Sequence, residues 1–416
     1  MATKLVEVPT DSIRIGSPLP FAVRSEDGTL LAHKGYVISS REDLETILDR
    51  GVHFYVDAAE LEGARRAYVS QLYELVREEQ PLGRIAETGF DTLLAHTKRN
   101  TAEDDDDSDS PDWLDLQEQA NLLLRDNHPA TFLHRVESIV GRLFKYIRRN
   151  SDGALFALIY LSAGEVKRYS ATHSLLVSAI CCMAARDVLK WPAKEQVLIC
   201  EAALTMNLGM TDLQDRLAQQ AEPLSPLQRQ QVDNHPQRSC DMLRQRGVTQ
   251  ADWLEAVLHH HTRVPGPLEG RSTGQRMARM IQRADMFAAQ LAPRAGRQPT
   301  APSTAMQATF FDENRKVDAA GSALIKAVGI YPPGTFVRLA NNEIGVVVRR
   351  SANTTAPRVA VVIGRSGTPT AEHAMRDTSL AEFRVIASVP HRNIRVVINL
   401  AKFLPLTGFV PLSRLG

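Results

Sequence analysis

Between Leu114 and Leu291 apolar residues recur with the period of an α-helix in segment after segment, and this most constrains what the chain can become. The pattern runs through 114–124, 133–148, 154–161, 173–190, 195–208, 226–246, 250–260 and 274–291, each reading as an amphipathic helix. Helices so closely spaced bury their apolar stripes against one another, so the middle of the protein is expected to be an all-α bundle. The code changes on both sides. Residues 5–57 alternate short apolar runs with turn signals such as Glu26-Asp27-Gly28 and Lys34-Gly35, which suits a small β-rich module. One helix is expected there over 42–50, with Ser40 as its N-cap and Gly51 ending it, and another over about 61–78. At the far end β-branched runs at 336–339, 345–349, 359–363 and 395–398 are separated by Asn341-Asn342 and Gly364-Arg365, the pattern of a small β-segment.

The expected organisation is therefore multidomain, a central helical bundle flanked by two small β-rich parts. Residues 1–60 form a docking or regulatory module, 61–111 a helix and an acidic linker, 112–330 the helical domain and 331–416 a C-terminal β-domain. The linker is read from the run Glu103-Asp104-Asp105-Asp106-Asp107-Ser108-Asp109, whose like charges are too dense for a core. It lacks the spaced glycine and closing glutamate of a calcium loop.

Bulk properties exclude some functions. A formal net charge of +1 gives no broad electrostatic grip on nucleic acid. No apolar stretch reaches the roughly 18 residues that cross a bilayer, and the start lacks the apolar centre of a secretory signal, so a cytoplasmic protein without a membrane span is expected. Cys181, Cys182, Cys200 and Cys240 show no CxxC spacing and read as buried free thiols.

Five residues of the helical region have the chemistry of metal ligands: His173, His235, His260, His261 and Asp285. Their contexts are Tyr169-Ser-Ala-Thr-His173-Ser174, Asn234-His235-Pro236, His260-His261-Thr262-Arg263 and Arg283-Ala284-Asp285-Met286-Phe287. In this order they resemble the HD-GYP branch of the HD phosphohydrolase superfamily over about 154–339, including the exit through Phe311-Asp312-Glu313 and Tyr331-Pro332-Pro333-Gly334. The resemblance implies an HD-type helical bundle, divalent iron or manganese, and cyclic di-GMP chemistry.

The chain also departs from that pattern. Where the family has Leu-Leu-His-Asp-Ile-Gly-Lys, this sequence has Leu204-Thr205-Met206-Asn207-Leu208-Gly209-Met210. A thioether and a neutral amide thus replace the defining ligands, and the lysine beside the scissile phosphate becomes Met210. Tyr169 stands where many members carry a glutamate ligand, and the Gly-Tyr-Pro loop is rewritten around Pro265-Gly266-Pro267. Without a bridging carboxylate two dications would repel, so at most one weakly held divalent ion is expected, on His235, His260, His261 and Asp285, with His173 a further residual ligand. Arg263 and Arg283, in a basic string with Arg271, Arg276 and Arg279, are candidate phosphate contacts or else solvated helix faces. Lys167 and Arg168 carry the same ambiguity, and His259 reads as a surface residue. Beside a purely structural scaffold, two functional readings stay open. One is a signalling protein with catalysis lost or impaired that binds cyclic di-GMP, or a partner such as a diguanylate cyclase or motility protein. The other is a residual metal-dependent phosphodiesterase.

Overall fold

The computed structural model describes residues 5–8, 19, 22–25, 30–33, 35, 36, 38 and 54–57, then 111–126, 128–164, 168–291, 302–370, 372–394, 396 and 398–408. The helices expected over 42–50 and 61–78, the acidic run, and Lys167 lie outside the described residues. The chain divides into two compact units, Met1–Asp109 and Ser110–Gly416.

The first unit contains an antiparallel sheet of β1 (Leu5–Val8), β2 (Val23–Arg24), β3 (Leu30–Ala32) and β4 (Phe54–Asp57), in the order β1-β4-β2-β3. Val23, Ala32, Ile38 and Val56 bury its apolar side. This is the β-rich module that the short alternating runs imply.

The second unit is built around the helix Tyr169–Met183, every residue of which is buried. Such a helix shows little amphipathicity because it has no solvent face. Trp113–Arg125, Pro129–Arg149, Ser151–Gly164, Ala193–Thr205, Thr273–Leu291 and Ala319–Val328 all pack on it. Local chemistry sets several boundaries. Asp112 caps the first helix by accepting from the Asp115 amide at 2.9 Å. Ser225 and Gln228 form a reciprocal capping box at the start of Pro226–Gln245. Thr211–Gln219 stands where no helix is expected from the sequence pattern, and so do Pro302–Phe310 and Ala319–Val328. Each of the last two is short and rich in small residues, so no apolar stripe announces it.

The C-terminal strands β5 (Phe336–Leu339), β6 (Ile344–Arg349), β7 (Arg358–Ile363), β8 (Met375–Asp377) and β9 (Val385–Val389) form an antiparallel sheet ordered β8-β7-β6-β5-β9. Residues 395–398, expected as a strand, do not supply one among the described positions: Ile398 is buried against the sheet core, and the fifth strand is Val385–Val389. There the apolar run reports burial rather than pairing. One sheet face, through Phe336, Val346, Val348 and Val362, shares a core with Phe156 and Phe403, whose rings stack 6.0 Å apart. Gly334 (φ +91°) passes so close to Ser151–Gly164 that a Cβ there would lie 2.8 Å from the Phe156 carbonyl oxygen. Among the described residues no helix is long and apolar enough to cross a membrane.

Candidate metal centre

Two of the histidines are aimed by backbone carbonyls. The proline in Pro226–Gln245 has no N–H, so Pro236 cannot donate to the carbonyl four residues earlier, that of Val232. The His235 Nδ1–H donates to this freed Val232 oxygen instead, at 2.5 Å. His260 follows the last residue of Ala251–His259, where helix carbonyls have no partner of their own, and its Nδ1–H donates to the Val257 oxygen at 2.6 Å. Both rings therefore direct Nε2 inward, the second-sphere arrangement that orients a histidine ligand.

The consequence is a close pair of acceptors. The two Nε2 atoms lie 3.1 Å apart. Burial pushes the His235 imidazole down to about 4, and burial together with its histidine neighbours pushes His260 well below its ordinary value. Both are neutral near pH 7, so two lone pairs face each other without a proton between them. His261, exposed, completes the group, with one ligand atom from each of the three residues all within 4.8 Å of one another. Two nitrogens on one divalent ion stand roughly 3.0–3.4 Å apart for bonds of about 2.1 Å, so the residues present fit a single cation.

His173 and Asp285 are also brought together, but with each other. The His173 Nε2–H donates to Asp285 Oδ1 at 2.7 Å, and the Tyr169 ring stacks on the imidazole at 5.4 Å. Burial alone would raise the Asp285 carboxyl, yet the hydrogen bond from His173 and the nearby His261 and His260 hold it below the usual carboxylate range. Asp285 is thus in the electrostatic field of the histidine cluster. Thr273–Leu291, which carries it, is anchored by Arg279 and Arg283, both almost fully buried against Glu313 and Asp318. Hydrogen bonds from Arg279 hold the Glu313 carboxyl down at about 2.

Met206 and Asn207 are buried between two fixed points. On one side Trp253 Nε1–H donates to Thr205 Oγ1 at 2.9 Å, and on the other the Gly209 amide donates to Ser239 Oγ at 2.9 Å. A Cβ at Gly209 would lie 2.9 Å from the His235 carbonyl oxygen, so only glycine lets this turn approach. Among the described residues Asn207 Oδ1 and His173 Nδ1 are buried without a hydrogen-bond partner.

The basic string is spread over several environments. Arg283 and Arg279 are committed to the buried Asp318 and to Glu313, Arg276 to Glu195 at 3.3 Å, and Arg168 to Glu118 at 3.0 Å. Arg271 closes the rewritten loop by donating to the carbonyls of Val264 and Pro267. Arg263 is exposed beside the histidines, while His259 is half-buried and contacts Thr262. The Val232 and Val257 carbonyls and the carboxylates behind Thr273–Leu291 are not identified as site components from sequence; the His-Pro dipeptide was the available signal for the first of them.

Comparison with known proteins follows the same residues. A family model described as an HD domain matches residues 155–321. A protein of Pseudomonas aeruginosa named as a cyclic di-GMP phosphodiesterase is 27% identical over 214 residues, covering 50% of this chain and 51% of that one. The chain thus aligns with about half the length of that relative. Among solved structures, an HDGYP protein from Bdellovibrio bacteriovorus aligns at 15% identity with a TM-score of 0.42, over 77% of this chain and 98% of that chain. The family match spans the segments that carry His173, His235, His260, His261 and Asp285, so residues 155–321 of this chain are similar to an HD domain.

Proposed function

We propose that the HD domain is a cyclic di-GMP signalling module that holds one divalent cation and has lost efficient phosphodiester cleavage. One observation carries this reading: His173 and Asp285 are hydrogen-bonded to each other at 2.7 Å, in a chain whose Met206 and Asn207 stand where the resemblance implies a histidine and an aspartate. The cation would rest on His235, His260 and His261, with Asp285 supplying negative charge nearby. A bound divalent ion would lower the pKa of a coordinated water and polarise a phosphoryl oxygen. The residues around it contribute little else to cleavage. Met210 brings no positive charge, and Arg279 and Arg283 are neutralised by Glu313 and Asp318. Removing such stabilisation of developing charge costs about 3–4 kcal/mol, or roughly two to three orders of magnitude in rate.

In this reading the domain, acting in the cytoplasm, binds the cyclic dinucleotide or a partner such as a diguanylate cyclase or motility protein. A residual metal-dependent phosphodiesterase is the second reading, favoured by the intact three-histidine group. The deciding experiment measures metal content and cyclic di-GMP turnover on one anaerobically purified sample, supplied with iron or manganese. The expected outcome is up to one equivalent of metal, lost in His260→Ala, with negligible turnover. Turnover at rates typical of enzymes, abolished by the same substitution, would establish the second reading instead.

A further inference from the structure

A groove of about 390 Å³ lies beside the turn that follows Asn207, lined by that turn, Trp113–Arg125, Thr211–Gln219 and Pro226–Gln245. Leu208 and Leu213 lie buried in its wall, and most of its surface is polar. Its rim is cationic. Arg125, Arg216 and Arg238 line it, against the single carboxylate of Asp212. Asp212 stands one helical turn before Arg216, yet it pairs with Arg125 at 3.2 Å. Arg125 is further tied to Asp215. Arg216 and Arg238 have no ion pair or hydrogen bond among the described residues. Gln231, two turns before Arg238 on the same helix, adds an amide to the rim.

We infer that this groove, with Met210 on its wall, binds the phosphate group of a small phosphate ester through residues other than the three clustered histidines. Two guanidinium forks without carboxylate partners match phosphate oxygens in pairs, and a phosphate would supply the missing counter-charge. The volume is that of a small-molecule pocket. A nucleic acid would need a basic stripe extending beyond it, against a chain whose net charge is +1.

The test is calorimetric titration of the full chain, stripped of metal by chelation, with inorganic phosphate, adenosine 5′-monophosphate and adenosine. Both phosphate-bearing probes are expected to bind and adenosine is not, and Arg216→Glu with Arg238→Glu should weaken binding at least tenfold. Binding that requires the metal, persists in the charge-reversed protein, or is equal for adenosine overturns the assignment. So does failure of both phosphates to bind at millimolar concentration. On the unaltered chain, phenylglyoxal labelling read by mass spectrometry should show Arg216 and Arg238 protected by adenosine 5′-monophosphate. Unprotected labelling of both arginines at a saturating probe concentration overturns the assignment as well.

Discussion

Pro236 decides the orientation of His235, and it does so by what it lacks. An alanine there restores an amide that competes for the Val232 carbonyl, now occupied by the His235 Nδ1–H at 2.5 Å. Pro236→Ala should therefore stabilise the helix, since an interior proline costs about 3 kcal/mol, while weakening metal binding roughly tenfold. Thermal melts and a metal titration on the same protein would register the opposed changes; a loss of stability would count against this account. A second residue gives a pH test. Burial, reinforced by Glu137, raises Glu201 to about 7. The folded chain then holds a proton that the unfolded chain releases near 4.3, so stability falls as pH rises between those values. Glu201→Gln should be more stable than the parent by about 1–2 kcal/mol at pH 8 and equal to it near pH 4. Melting temperatures at the two pH values check this. At this scale the residues of the histidine group, His235, His260 and His261, stand out in the sequence because each sits in a short distinctive context. The two carbonyls that aim His235 and His260 do not, because a backbone oxygen's availability depends on helix ends and a proline's missing donor.

Among the described elements, every helix longer than ten residues was readable, and of those of nine or ten residues only Ala251–His259 was. Pro129–Arg149 has a clear apolar stripe, and its sequence pattern lies within it. Tyr169–Met183 is buried on all sides, so its central position is not encoded as a stripe at all. Ala319–Val328 is recognisable only from its surroundings. Its N-cap, Asp318, accepts from the Gly321 amide at 2.8 Å and also faces Arg279 and Arg283. The helix approaches Pro302–Phe310 so closely that a Cβ at Gly321 would lie 2.1 Å from the Thr309 carbonyl oxygen. Because that atom is backbone, Gly321→Ala must displace a helix and should cost about 2–3 kcal/mol. Chemical denaturation is the measurement, and a change below 0.5 kcal/mol, taken as roughly the size of a neutral surface substitution, would contradict it.

On the scale of the molecule, the C-terminal sheet and the helices that carry the histidines belong to one compact unit, Ser110–Gly416. The Phe156 and Phe403 rings join their cores, and Arg350 is hydrogen-bonded to Asp152 and the Ala327 carbonyl. Phe403→Ala should lower stability by about 3–4 kcal/mol, with metal content per folded molecule unchanged. Equilibrium unfolding and elemental analysis would check the two halves of that statement. The Asn150 side chain donates to Thr407 Oγ1 across a separation of 257 positions. During synthesis, then, the start of the helical bundle leaves the ribosome long before the residue that closes over it. Until Phe403 has emerged, the apolar surface around Phe156 stands open to water, which leaves chains terminated before that residue prone to aggregate.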